Sequence, residues 1–179
     1  MSRRSGLTRL RTLLGACLAL AAVAAGCGSS HPRSVARTAT TTTDPEAAAV
    51  LTAYRAEQAA FTAAVDRADP TWPGLAETMT GAQLDSVKRS LVADQISGVV
   101  GRGSVQLHPK VASLNGNQAV VLDCAFDSSE LVYAKTGKPV PPVTPPGPVA
   151  IRSTLLEVQP AVWKVAQQDT KDGPCPAGY

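Results

Sequence analysis

Two histidines, two aspartates four positions apart and one short acid-and-hydroxyl run are the side chains of this 179-residue chain whose types could move protons or hold a cation. His108 precedes Pro109 in an alternating segment, which places it at an exposed or rim position rather than a catalytic one. His31 falls in a stretch with no apolar period at all. Asp123 and Asp127 fall on one face of a strand, but four strand residues hold them about 13 Å apart. That is too far for two carboxylates to share a proton. The run Asp127-Ser128-Ser129-Glu130 lacks the alternating oxygen spacing of a calcium loop and reads as a hydrogen-bonded turn at a strand end. Gly98 to Gly103 lacks the Gly-Lys-Ser/Thr end of a phosphate cradle, and helix termination accounts for its glycines. No catalytic residue, metal site or cofactor is expected from these groups.

The cysteines carry more. They are Cys17, Cys27, Cys124 and Cys175. Arg3, Arg4, Arg9 and Arg11 precede an uncharged run, Leu13 to Ala25, which is the layout of a bacterial secretory signal. The run is shorter than the roughly 18 to 20 apolar residues of a permanent bilayer span. Cys17 leaves with the signal, so three cysteines remain, and an odd thiol in an oxidising compartment has to be occupied chemically or paired elsewhere. The segment Ala24-Ala25-Gly26-Cys27 resembles the bacterial lipobox, with Ala24 where that pattern usually has Leu. The resemblance implies cleavage before Cys27, diacylglycerol on its sulfur and usually acylation (palmitate) of the new amino terminus. Ordinary cleavage that leaves a free Cys27 thiol is the alternative. Each buried methylene contributes about 0.8 kcal/mol, so two or three chains suffice to hold a protein on a membrane that it does not span.

Loss of the four signal arginines takes the formal charge from +3 to −1. A near-neutral surface without a dense Lys/Arg cluster argues against nucleic acid as a partner. Gly28 to Asp44, with its run TATTTT, buries too little to fold and reads as a plain spacer, sugar attachment being the alternative. The expected organisation is a lipoprotein signal over 1–26, the lipidated Cys27 and a flexible Ser/Thr-rich tether over 27–44, and one domain over 45–179.

Positioning of any site falls to helices first and strands second. Asp44-Pro45-Glu46 supplies an N-cap, a proline at the first helical position and an acid at the positive end. Val50, Tyr54, Phe61 and Val65 follow at helical spacing, with the helix ending near Ala68. Trp72-Pro73-Gly74-Leu75 reads as a turn or a single helical turn, with Trp72 as a lid on the core. Thr80 and Gln83 have the spacing of a capping box. Leu84, Val87, Leu91, Ile96 and Val99 form the buried face of that helix, which Gly98 and Gly101 terminate.

From Gly103 the period becomes alternating. Val105, Leu107 and Val111 lead to Asn115-Gly116, where a tight hairpin turn belongs. The return strand carries Val120, Leu122, Cys124 and Phe126 on one side and Val121, Asp123 and Asp127 on the other. Val149–Val158 and Ala161–Gln168 make two more strands, joined through Gln159-Pro160, with Trp163 and Val165 on one face. The segment GKPVPPVTPPGP, Gly137 to Pro148, cannot donate to a ladder at its prolines and reads as a stiff connector shielding a sheet edge. A rim for an envelope partner is its alternative role. The fold class is α+β, N-terminal helices packed on a curved four-stranded antiparallel sheet.

The order of elements, with VVLDCAFDSS in one strand, YAKTGKPV after it and the late strand AVWKVAQQDTKDGPC, resembles secreted actinobacterial proteins of the nuclear-transport-factor-two-like, cystatin-like group. The likeness runs from Pro45 to Cys175. It implies a cone, a bent sheet wrapped around a long helix and open at one end. The group includes dehydratases, isomerases and non-catalytic binding modules, and its enzymes need an acid, a His or a Tyr inside the cone. Cys124 in mid-strand and Cys175 in the terminal DGPCPAGY suit a bridge pinning the tail to the sheet, worth roughly 4 kcal/mol in the chain-entropy model. A metal site on these cysteines is the weaker alternative, since the spacing matches no CxxC pattern.

The function expected is that of a lipid-anchored protein on the extracytoplasmic face of a bacterial cell membrane, with a non-catalytic binding domain. A cone lined by Phe61, Val120, Leu122 and Phe126 would suit an apolar ligand. An isomerase- or dehydratase-like enzyme, or an accessory subunit of an envelope complex, is the alternative. An acid–base group buried in the cone would favour the enzyme.

Overall fold

Asp44 starts the first helix as its side chain predicts: its carboxylate accepts from the Glu46 N–H at 3.0 Å, with Pro45 at the first helical position. The computed structural model describes residues 44–179. Cys27, His31, the signal segment 1–26 and the tether up to residue 43 lie outside them. Helix α1 spans Pro45–Val65, α2 Pro73–Thr78 and α3 Gly81–Ser97. The strands are β1 Val99–Arg102, β2 Val105–Gln106, β3 Pro109–Asn115, β4 Gln118–Asp127, β5 Glu130–Tyr133, β6 Gly147–Gln159 and β7 Val162–Asp172.

The main sheet is antiparallel and has five strands, not the expected four. β2 and β3 share one edge of β4, and β6 and β7 follow on the other side. One alternating stretch becomes two strands because Pro109 lacks an N–H and the His108 N–H leaves the ladder for the Asp123 carboxylate, 2.8 Å away. Register shifts at Val111/Ser113, Thr154/Leu155 and Glu157/Gln159 bend the strands and curve the sheet. The hairpin turns fall one residue later than expected, on Gly116-Asn117 and Pro160-Ala161.

Beside this sheet lies a two-stranded ribbon, β1 with β5, that alternation does not announce. Its strands are four residues each, and β1 contains Gly101, where a Cβ would lie 2.5 Å from Val65 Cγ1. That close approach, rather than helix termination, is the use of Gly101. Gly98 does end α3, in the left-handed conformation at φ 67°.

The sheet face turned to α1 holds the main core: Val50 and Tyr54 pack on Ala119, Val121, Ala125, Leu155, Trp163 and Val165. A second cluster, Ala64, Leu75, Met79, Val87 and Leu91, fills the space among the helices, with Trp72 half-buried against it and Arg67 stacked 4.8 Å above its ring. Three expectations about the helices fail. Thr80 caps α3 in extended conformation without a side-chain hydrogen bond. Ile96 is 81% exposed, five residues past Leu91, the last buried residue of α3, and Val99 is buried from β1 rather than from the helix. The Thr80 N–H instead donates to the Val165 carbonyl at 2.9 Å, tying the start of α3 to β7.

Cys124 and Cys175 are bridged, across 51 residues, so the tail after β7 is fixed to the outer face of β4. Among the described residues no helix is long and apolar enough to cross a membrane.

Candidate functional site

The strand alternation of β4 decides what can line the interior. Ala119, Val121, Asp123 and Ala125 face α1 and are buried, which sends Val120, Leu122, Cys124 and Phe126 to the opposite face. The expectation that Val120, Leu122 and Phe126 line the cone is therefore reversed, and Phe126 is 43% exposed. The physical reason is the period of two. Cys124 must point outward to reach Cys175, and the three bulky residues follow it. Alanines then stand where α1 packs close. Phe61 alone of the four lines a cavity.

That cavity measures about 800 Å³ and opens between α1, α3, the β1–β5 ribbon, the ends of β6 and β7, and the segment Val140–Pro148. Its apolar wall comes from Phe61, Val65, Val87, Val105 and Ile151, and its polar wall from Gln58, Gln83, Ser86, Ser90, Gln168 and Thr170. Charges gather at the mouth: Asp66, Asp127, Glu130 and Asp172 against Arg102, whose guanidinium lies 4.0 Å from the Asp66 carboxylate. The proline-rich connector is thus a wall of the cavity as well as an edge cover, and Pro139 bridges to Val132 of β5.

Behind the polar wall lies a layer of buried polar groups on α1 and β4. The Tyr54 hydroxyl donates to Asp123 Oδ2 at 3.0 Å, and Asp123 Oδ1 accepts from the His108 N–H. Burial, then the adjacent Asp123 carboxylate, holds the Tyr54 phenol far above its usual range. One turn on, Glu57 is wholly buried; its Oε2 accepts from Gln58 Nε2 at 2.8 Å, and its Oε1 has no partner among the described residues. Burial pushes the Glu57 carboxyl up to about 7, while the nearby Gln83 and Gln58 amides pull the other way.

From Gln58 the network continues outward. Its Nε2 also donates to Gln168 Oε1 at 2.9 Å, which takes a second bond from the Ser153 hydroxyl at 3.1 Å. Glu57, Gln58, Gln168 and Ser153 therefore form one hydrogen-bonded chain from helix to sheet.

Asp123 and Asp127 do not meet. Asp123 is wholly buried with Tyr54, while Asp127 borders the cavity and accepts from the Ser129 N–H at 2.7 Å, the strand-end turn expected of that run. His108 is exposed, with its Nδ1 3.2 Å from the Cys124 carbonyl. Sequence reading missed Glu57 altogether. The signal was there: position 57 is three residues after Tyr54 and four before Phe61, so a carboxylate stands in the apolar stripe of the helix. Among the described residues no group of three or more His, Cys, Asp or Glu side chains could hold a metal ion.

No protein-family model and no curated protein matches the chain. Among solved structures, it is similar to the intermembrane space region of the chloroplast protein ARC6, with TM-score 0.53 and 17% identity over 69% of this chain and 95% of that one. Two others are similar more loosely. An NTF2-like superfamily protein from Salmonella enterica serovar Typhimurium LT2 has TM-score 0.48 and 11% identity, covering 73% and 94% of the two chains. A ketosteroid isomerase-like protein from Erwinia carotovora atroseptica has TM-score 0.46 and 18% identity, covering 71% and 95%. What the chain shares with the ARC6 region is a fold: helices on one face of a curved antiparallel sheet.

Proposed function

We propose that this protein is a lipid-anchored binding protein on the extracytoplasmic face of a bacterial cell membrane, whose domain holds a small ligand in the cavity without turning it over. The observation that carries the reading is the cavity, about 800 Å³ with apolar and hydrogen-bonding walls, a size and mixture typical of small-molecule sites. Binding without reaction is supported by where the acids go. Both Asp123 oxygens are taken by Tyr54 and His108, and Glu57 stands behind Gln58 rather than in the cavity wall. The ligand is amphipathic rather than purely apolar, since three glutamines and four serines stand among the apolar residues of the lining.

Native mass spectrometry of the protein purified from its own envelope tests this. A co-purifying small molecule is expected, and it should be lost in Ser86→Trp, which fills the cavity from an exposed helix position and spares the core. Protein that carries no molecule, and binds none from a lipid and metabolite extract, would overturn it.

One observation favours the enzyme reading. A buried acid titrating at about 7 one residue behind the wall is what a general acid–base needs. Turnover of a small substrate that vanishes in Glu57→Gln, with the thermal midpoint not lowered, would put that reading first.

A further inference from the structure

We infer that the polar wall of the cavity is built to receive the edge of a neutral carboxamide, one hydrogen-bond donor beside one acceptor, on a ligand with an apolar body. The inference rests on the cavity being a ligand site and names the class of ligand that it takes. It follows from counting hydrogen-bonding capacity along the Glu57–Gln58–Gln168–Ser153 chain.

Gln58 has two amide hydrogens, and both are used, one on Glu57 Oε2 at 2.8 Å and one on Gln168 Oε1 at 2.9 Å. Its oxygen is left over. Gln168 is the mirror case. Its oxygen accepts twice, from Gln58 Nε2 and from the Ser153 hydroxyl at 3.1 Å, and its amide nitrogen is left over. With Glu57 ionised, as it is at pH 8, neither amide can turn round: a flipped Gln58 would set its oxygen against the Glu57 carboxylate, and a flipped Gln168 would set one NH2 group against another. Neither leftover atom is sealed in the core, because among the described residues Glu57 Oε1 is the buried side-chain polar atom without a partner. Both glutamines line the cavity. One acceptor and one donor, side by side and locked from behind, therefore face the space where a ligand would sit.

A primary or cyclic amide matches that pair, giving its N–H to Gln58 and taking one from Gln168. A carboxylate does not match. It brings no donor for Gln58 Oε1, Glu57 once ionised repels it from behind, and four carboxylates against one arginine stand among the lining residues. A ketone satisfies Gln168 alone. An unpaired acceptor or donor in a desolvated site costs far more than a made bond returns, so the discrimination comes from the mismatched ligands. The apolar body lies along Phe61, Val65, Val87 and Ile151.

Three probes of one length separate the possibilities: octanamide, octanoate and 2-nonanone, titrated into the purified full chain at pH 8 and followed by NMR. Octanamide is expected to bind at least tenfold more tightly than either of the others and to shift the side-chain amide resonances of Gln58 and Gln168. In Gln168→Met, which removes the N–H that both carbonyls accept, octanamide and 2-nonanone should both weaken, and octanamide should stay the tighter of the two through Gln58; a ketone affinity left unchanged would overturn the assignment. Equal binding of all three would overturn the amide edge while leaving the cavity reading intact. Tightest binding by octanoate, or no binding by any probe at millimolar concentration, would also overturn it. The cavity reading then stands or falls separately on the native mass spectrum.

Discussion

The Glu57 carboxyl accepts one hydrogen bond, from Gln58, and is otherwise enclosed by protein. That arrangement makes stability depend on pH with a definite sign. In the folded protein Glu57 titrates near 7, against 4.5 for an unburied glutamate. Below pH 4.5 it is protonated in both states and burial carries no ionic penalty. Between the two values the folded protein keeps a proton that the unfolded chain releases, so stability falls as pH rises, by about 3 kcal/mol in all. Glu57→Gln is neutral at every pH and removes this slope. Urea unfolding of wild type and variant from pH 4 to pH 9 should give curves that diverge above pH 5, with the variant the more stable at pH 8. Parallel curves would show that Glu57 is ionised at no cost in the fold. The same residue shows what a sequence hides: the apolar stripe Val50, Tyr54, Phe61 and Val65 is legible at its spacing, yet which polar neighbour is drawn into the core depends on β7 supplying Gln168 to the network.

Strand β4 raises the same point for a whole element. Alternation announces a strand and splits its residues into two sets correctly, but both sets contain apolar residues, and bulk alone favours the wrong one. Packing distance decides: α1 lies close enough to admit Ala119, Val121 and Ala125, while Leu122 and Phe126 fall on the side where the tail is bridged to Cys124. Val121→Ala should therefore destabilise by about 2 kcal/mol, since it empties a fully buried site. Phe126→Ala should cost less than half of that despite the larger truncation, because its ring is 43% exposed. Denaturant midpoints of the two variants in the reverse order would restore the orientation that residue size suggests. The ribbon of β1 and β5 was unreadable for a related reason: strands of four residues carry too few alternations to show a period, and they are held by Val100 and Val132 packing with Ala68 and by the close approach of Gly101 to Val65.

For the molecule as a whole, the charge pattern and cysteine parity of residues 1–30 bear on where the domain is held, and its cavity on what it does there. We propose Cys27 as the acylated residue, so Cys27→Ser should abolish partitioning into the detergent phase and either release the protein or leave it unprocessed. Phase separation in Triton X-114 with mass analysis of the N-terminal peptide reads this directly; a variant still processed and still in the detergent phase would sink the lipid anchor. The disulfide and the curved sheet complete a domain in which the tail is bridged to β4 and the cavity is bordered by the ends of β6 and β7.

What the amino-acid sequence determined by itself is local or topological: the Asp44-Pro45 helix start, the Gly98 stop, the long hairpins, the α+β class and the pairing of Cys124 with Cys175 as the two cysteines of the domain. Each depends on neighbours within a few positions or on simple parity. The cavity, the inward face of β4 and the Glu57–Gln58–Gln168–Ser153 chain were decided only in three dimensions. Gln58 and Gln168 are 110 positions apart, and no periodicity within either segment records the other. A hydrogen bond between them exists because α1 lies across a sheet whose bulges curve it round the helix, and that curvature is a property of the assembled strands rather than of any one of them.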